Sequence, residues 1–208
     1  MQLSKLKQLY VEGVYETRAL LIREEPFTLQ SGGQSHVYLN HRNFLSRGDY
    51  LVLVANIYFQ LIGSVLKTED YRLAVVDSIM SPIIVGAMCA LRKKDLTVIK
   101  STKLEHGTEQ DIYGDCHGEV VIIDDMTSTG KTILEATDKI RAAGGQVHYA
   151  VVSALRDQTA VDNLAGKNVS LLHIASFQEI LALLQPSLTT KEKALVASEL
   201  GVPQKVLK

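Results

Sequence analysis

Residues 120–132 read VVIIDDMTSTGKT: four apolar residues, two aspartates, a run of small hydroxylated residues, then a glycine that opens a helix-compatible segment. The pattern predicts a strand over 119–125, a loop, and a helix from about 130 to 143 closed by Gly144 and Gly145. In an open α/β sheet, ligands gather beyond the carboxyl ends of the strands, and the N–H groups at a helix start favour a phosphate. Small residues let the backbone approach the anion, and Thr127, Ser128, Thr129 and Thr132 add hydroxyl donors around Gly130 and Lys131. Two carboxylates would repel a bare phosphate, so Asp124 and Asp125 imply a ligand that also carries hydroxyls or a metal. A ribose 5-phosphate meets both demands, its 2- and 3-hydroxyls donating to the carboxylates while the loop holds the 5-phosphate. The bland alternative makes the aspartates caps of the following helix. STGKT also reproduces the end of the Walker A loop, GxxxxGK[ST]. The first glycine of that motif would fall on Asp125, where a carboxylate would face the phosphates, so an ordinary nucleoside triphosphatase is disfavoured.

On either side the chain alternates between strand-like and helix-like segments. YRLAVVD (71–77) and LTVIK (96–100) read as strands around a helix at 83–93, and a helix at 48–66 precedes them. Downstream, QVHYAVVSAL (146–155) reads as a strand, followed by a short strand near 170–174 and helices near 176–184 and 190–200 separated by Pro186. The expected class is α/β, a mostly parallel sheet flanked by helices in one domain over 1–208. Residues 2–24 carry a helical stripe of leucines and predict an amphipathic helix ending before Pro26. Gly32 and Gly33 then divide two short extended pieces, so about 1–45 forms a helix and a small hood, and about 187–208 a helical extension whose apolar face caps the domain or meets a partner. The polar stretch from Ser101 to Gly118 is long for a connection, and such loops are often functional lids.

Composition bounds the partners. With 22 basic and 23 acidic residues, net charge -1, the chain offers no broad field for nucleic acid or an anionic membrane, and any polyanion site must be local. No stretch approaches ~20 consecutive apolar residues and the first 25 residues are interrupted by charge, so neither a membrane span nor a signal peptide is expected. Cys89 and Cys116 are too few for a disulfide framework, and Cys116-His117 lacks a second ligand pair for zinc; a reduced, cytoplasmic setting is the expectation.

VVIIDDMTSTGKT resembles the phosphoribosyl-diphosphate (PRPP) signature of type I phosphoribosyltransferases, departing mainly at Lys131, where the family has a small residue. FTLQSGGQSHVYLNHR (27–42) is similar to the N-terminal signature of orotate phosphoribosyltransferases through Ser31, Gly32, Ser35, Tyr38 and Arg42. IKSTKLEHGTEQDIYG (99–114) is similar to their mobile catalytic loop through Lys100, Lys103, His106 and Gly107. The resemblance covers roughly residues 2–175 and implies the type I fold. It implies that Asp124 and Asp125 hold the ribose hydroxyls, with Asp125 at the reacting sugar, and that residues 127–132 bind the 5-phosphate. Lys100, Lys103 and His106 would meet the departing pyrophosphate, where cations and a proton donor offset the developing charge. The backbone near Ser35 to Tyr38, together with Ser128, would meet the pyrimidine, and Arg156 would face the orotate carboxylate, the bidentate pairing that arginine favours. Mg2+ would be carried mainly by PRPP, with no direct protein ligand, and the resemblance implies a homodimer whose mobile loop serves the neighbour's site.

The expected reaction is phosphoribosyl transfer from Mg-PRPP to orotate, giving orotidine 5-monophosphate and pyrophosphate in pyrimidine synthesis. Two alternatives stay open: a PRPP-binding regulatory protein without transfer, and transfer to another base. The first draws on VVDSIMSPIIVGA, which has no glycine before Gly86 where the family's pyrophosphate loop carries glycines. Asp77 there would oppose a diphosphate unless Mg2+ intervenes or its side chain turns away.

Overall fold

The computed structural model describes residues 2–29, 32–101 and 110–200. Along the chain they form α1 (Leu3–Glu16), β1 (Leu20–Thr28), β2 (Gln34–Leu39), α2 (His41–Leu45), α3 (Gly48–Val65), β3 (Arg72–Val76), α4 (Ser81–Arg92), β4 (Leu96–Ile99), β5 (Ile112–Tyr113) and β6 (Gly118–Ile123). There follow β7 (Met126–Thr127), α5 (Lys131–Ala142), β8 (Gly145–Leu155), α6 (Thr159–Ala165), β9 (Ser170–Ser176), α7 (Phe177–Leu184) and α8 (Thr190–Leu200), with a 3-10 turn at Gln185–Ser187. These elements fold as two compact units, Leu51–Ser176 and the residues on either side of that span.

The Leu51–Ser176 unit is built on a sheet of order β5-β4-β3-β6-β8-β7, with β9 also paired to β8. Every pairing is parallel except that of β5 with β4. The Val/Ile runs explain this arrangement, since strands covered on both faces have no solvent side to alternate toward, and Val120 to Ile123 are all buried. On one face, Ile133, Ala136 and Ile140 of α5 pack with Val120, Ile122, Ala150 and Val152. Alternation turns Val121, Ile123 and Val151 to the other face. The last helix before the sheet, α3, is long and apolar enough to cross a membrane by composition alone. It buries Val54, Ala55, Ile57, Tyr58, Leu61 and Ile62 as the stripe of a core helix.

The other unit corrects the expectation of one helix over 2–24. α1 stops at Glu16, where the Thr17 N–H and hydroxyl both bond the Gly13 carbonyl and Arg18 takes a left-handed φ of 53°. Leu20, Leu21 and Ile22 do not extend the helical stripe; they pair as a strand with Leu39, Tyr38 and Val37. Pro26 is tolerated because the register shifts between Ile22 and Phe27, where no ladder N–H is required of it. α2 was not anticipated. Its His41 meets the Tyr10 hydroxyl at 2.7 Å and its Phe44 meets the Tyr10 ring edge-on at 5.3 Å. α1 packs on α7, where Lys7 pairs with Glu179 at 2.7 Å, and α8 lies on the β1–β2 hairpin. The C-terminal helix therefore caps the hood.

Gly145 begins β8 in a place with no room for a side chain: a Cβ there would press on the Cys116 carbonyl oxygen and lie 2.5 Å from Ile140 Cγ2. Gly145→Ala is expected to lower stability by roughly 2–3 kcal/mol, read as a lower urea midpoint with an unchanged slope.

Candidate active site

The central strand breaks where the sequence places two aspartates. β6 pairs Ile123 with Val151 of β8, and β7 resumes with Met126 opposite Ala154, the same offset. β7 is thus β6 continued after a two-residue interruption. Asp124 N–H still donates to the Val151 carbonyl (3.0 Å), and the Asp125 carbonyl accepts from Ser153 (3.1 Å) and Ala154 (3.3 Å). The break is held from two helices as well. Ser81, the first residue of α4, donates from Oγ to Asp124 Oδ1 at 2.6 Å and stands 3.4 Å from Asp125 Oδ1. Tyr58 of α3 donates to the Asp124 carbonyl at 2.8 Å and shares a 2.7 Å bond with the Ser153 hydroxyl. The Asp125 N–H also bonds Asp124 Oδ1, at 2.9 Å.

Neither aspartate caps α5, whose N-cap is Gly130 with no side-chain capping bond. Their arrangement is electrostatically costly. Burial, then the neighbouring Asp125 charge, pushes the Asp124 carboxyl up to about 7, against the lowering effect of the bond from Ser81. Such an acceptor pair is matched to a ligand that donates hydrogen bonds.

The loop that follows is fixed from several sides. Thr127 Oγ1 accepts the Gly130 N–H at 3.1 Å, and Asn163 of α6 donates to the Thr129 carbonyl at 2.9 Å. Gly130 sits at φ 77°, and a Cβ there would lie 3.2 Å from Leu164 Cγ, so the turn into α5 requires glycine. The helix start, whose first N–H groups lack intrahelical partners, opens directly from this turn. Thr127 is buried, Ser128 half-buried, and Thr129 and Thr132 exposed. Lys131 neither crowds the loop nor reaches into it; its side chain is 81% exposed, with Nζ 3.9 Å from Glu135.

Other residues singled out by the sequence sit in several places. Lys100, at the exit of β4, is buried with its amine over the Tyr113 ring, 5.1 Å from the centroid. Its carbonyl accepts from Lys139 Nζ of α5 at 2.6 Å. Asp77 turns its carboxylate aside to accept the Ser101 N–H. Arg156 is half-buried just past β8, with its N–H bonded to the Thr127 carbonyl at 2.9 Å. In the hood, the Ser35 hydroxyl closes on its own backbone, donating to the Val37 carbonyl (2.7 Å) and accepting the Val37 N–H (3.1 Å). Tyr38 packs its ring on Phe27, 5.3 Å between centroids. Ser31, Lys103, His106 and Gly107 lie outside the described residues. Sequence reasoning missed Tyr58, Ser81, Lys139, Ser153 and Asn163. Ser81 was within reach, since Ser-Pro after a strand is a helix-start signal; the others sit on helix or strand faces with no local mark.

Among the described residues no three His, Cys, Asp or Glu side chains gather to hold a metal.

The raised Asp124 carboxyl makes a signed prediction. A carboxylate whose folded pKa exceeds its unfolded value costs stability fully above about pH 7, and the cost fades as pH falls toward about 4. Asp124→Asn is therefore expected to raise the thermal midpoint of the unliganded protein at about pH 8 by a few degrees, from relief of about 1–3 kcal/mol, with the gain shrinking to nothing near pH 4. Scanning calorimetry of both proteins across that range checks it.

No family model matches the chain. Individual relatives do. The chain is 30% identical over 191 residues to orotate phosphoribosyltransferase of Sulfolobus acidocaldarius, covering 90% of this chain and 94% of that one. It is 31% identical over 161 residues to orotate phosphoribosyltransferase of Methanocaldococcus jannaschii, covering 76% and 89%. The crystal structure of orotate phosphoribosyltransferase from Aeropyrum pernix superposes with a TM-score of 0.74 at 26% identity, over 84% of this chain and 97% of that one. At 30% and 31% identity over most of both chains, these likenesses decide the matter: the chain belongs to the orotate phosphoribosyltransferase family.

Proposed function

We propose that the protein transfers the phosphoribosyl group of Mg-PRPP to orotate, yielding orotidine 5-monophosphate and pyrophosphate. The observation that carries this is the acidic pair at the break of β6, leading into an anion loop at the start of α5. Carboxylate acceptors followed directly by a helix N-terminus match a sugar with adjacent hydroxyls and a terminal phosphate. Asp124 and Asp125 accept from the ribose hydroxyls, and residues Thr127 to Thr132 hold the 5-phosphate. Such anchoring fixes C1 while its bond to pyrophosphate breaks and a bond to the orotate nitrogen forms. The transition state is oxocarbenium-like, and a fixed carboxylate near the sugar favours its positive charge.

Lys100, Lys103 and His106 serve the leaving pyrophosphate, where cations and a proton donor offset the developing charge. When bound, Mg2+ supplies charge neutralisation on the diphosphate. Asp77 turns one carboxylate oxygen to the Ser101 N–H, and the charge it keeps would be offset by the bound Mg2+. Ser128 and Arg156 orient orotate; a homodimer and a cytoplasmic setting complete the proposal.

The reading without transfer draws on Ile79, 63% exposed in a segment that has no glycine before Gly86. A radiometric assay with orotate and Mg-PRPP separates the two: turnover is expected, and intact PRPP binding without turnover would reject transfer. Replacing Lys103 by Ala should cut kcat by on the order of 10²-fold or more while PRPP affinity changes much less. Arg156→Ala should raise the KM for orotate by roughly 10–100-fold with little change in that for PRPP, measured by varying each substrate in turn.

A further inference from the structure

We propose that Ser81 is a positioning residue for PRPP: its hydroxyl fixes the Asp124 carboxylate as an acceptor for the ribose, and ties that carboxylate to the segment between β3 and α4. The inference rests on the ribose-phosphate reading of the acidic pair.

Ser81 is 1% exposed, so its hydroxyl has no water to fall back on, and its single proton goes to Asp124 Oδ1 at 2.6 Å. The Asp125 N–H meets the same oxygen at 2.9 Å. Both donors therefore converge on Oδ1 and fix the rotation of the carboxylate, with the Asp125 carboxyl beside it. With the Asp125 carboxylate beside it, Asp124 would draw a proton at a still higher pH without this bond, and the protonated group is a poorer acceptor for a ribose hydroxyl. Among the described residues, the groups that face Asp124 are Asp125 from its own strand, Ser81 from α4 and the Tyr58 hydroxyl from α3, which bonds its carbonyl. Among these, Ser81 is the side chain that opposes protonation.

Its position adds a second role. Ser81 is the first residue of α4 and follows Asp77–Met80 directly, so the bond to Asp124 spans from the end of β3 to the end of β6. A shift of that segment on binding a diphosphate would move the hydroxyl that sets the ribose acceptor.

The test measures Mg-PRPP binding by titration calorimetry over about pH 5 to 9 for wild type, Ser81→Ala and Ser81→Thr, with the thermal midpoint of each as a check on folding and orotate turnover of the wild type alongside. Wild-type affinity should fall on acidification as Asp124 takes up a proton. Ser81→Ala should move that acid limb upward by about half to one pH unit and weaken binding at about pH 7 by roughly three- to tenfold, while affinity at about pH 9 recovers to within about threefold. Ser81→Thr, which keeps the hydroxyl, should return the limb toward the wild-type position. A Ser81→Ala limb that superimposes on that of the wild type, or a uniform loss of affinity at every pH, overturns the inference even when the wild type turns over orotate. A wild type that binds no Mg-PRPP overturns the ribose-phosphate reading and this inference together, and one that binds it without turnover rejects transfer alone, leaving the limb comparison to decide on Ser81.

Discussion

The bond on which the site depends is the one between the Tyr58 hydroxyl and the Asp124 carbonyl, shared with Ser153. A central strand whose ladder is irregular for two residues leaves the Asp124 carbonyl without a backbone partner among the described residues, and an unmet buried carbonyl costs about 1–3 kcal/mol. Tyr58 meets that carbonyl from an otherwise apolar helix face, and Ser153 meets Tyr58. With the backbone satisfied, the two carboxylates can project from the sheet without unravelling it. The cost that remains is electrostatic, and a ligand that donates hydrogen bonds relieves it.

How much of this was legible depends on range. The core strands were visible because Val120 to Ile123 and Val147 to Leu155 are nearly continuous apolar runs bounded by glycine or charge, a pattern that parallel strands impose locally. The acidic pair and the loop were visible because their chemistry is contiguous in sequence. Tyr58, Ser81 and Ser153 come together only in space, across separations of 23 to 95 residues, and no spacing rule marks them. Their signal was limited to single polar residues in apolar company, which is also how a satisfied core residue looks.

The hood shows the opposite failure. Leu20 and Leu21 fell on the helical period of α1 by coincidence, and pairing with Leu39 and Tyr38 overrode it. Pro26 was read as a terminator of a helix, when it marks the irregular middle of a strand. Local propensity lost to a hairpin partner more than ten residues away, a contest that a single sequence does not display. Ser35 is a milder case: its residue type matched a base-binding signature, yet its hydroxyl is spent on the hairpin itself, so any contact it makes with a base falls to the backbone.

Because β7 resumes β6 in register on β8, the acidic pair is spliced into a strand that stays bonded to β8 on one side, rather than carried on a free loop. Amide protons at Asp124, Ser153 and Ala154 can then exchange with solvent only when the sheet itself opens, on the timescale of global unfolding and not of loop motion. A hydroxyl-bearing ligand would meet carboxylates already held by the strand and by Ser81, so little of the entropic cost of its capture would fall on the acidic pair.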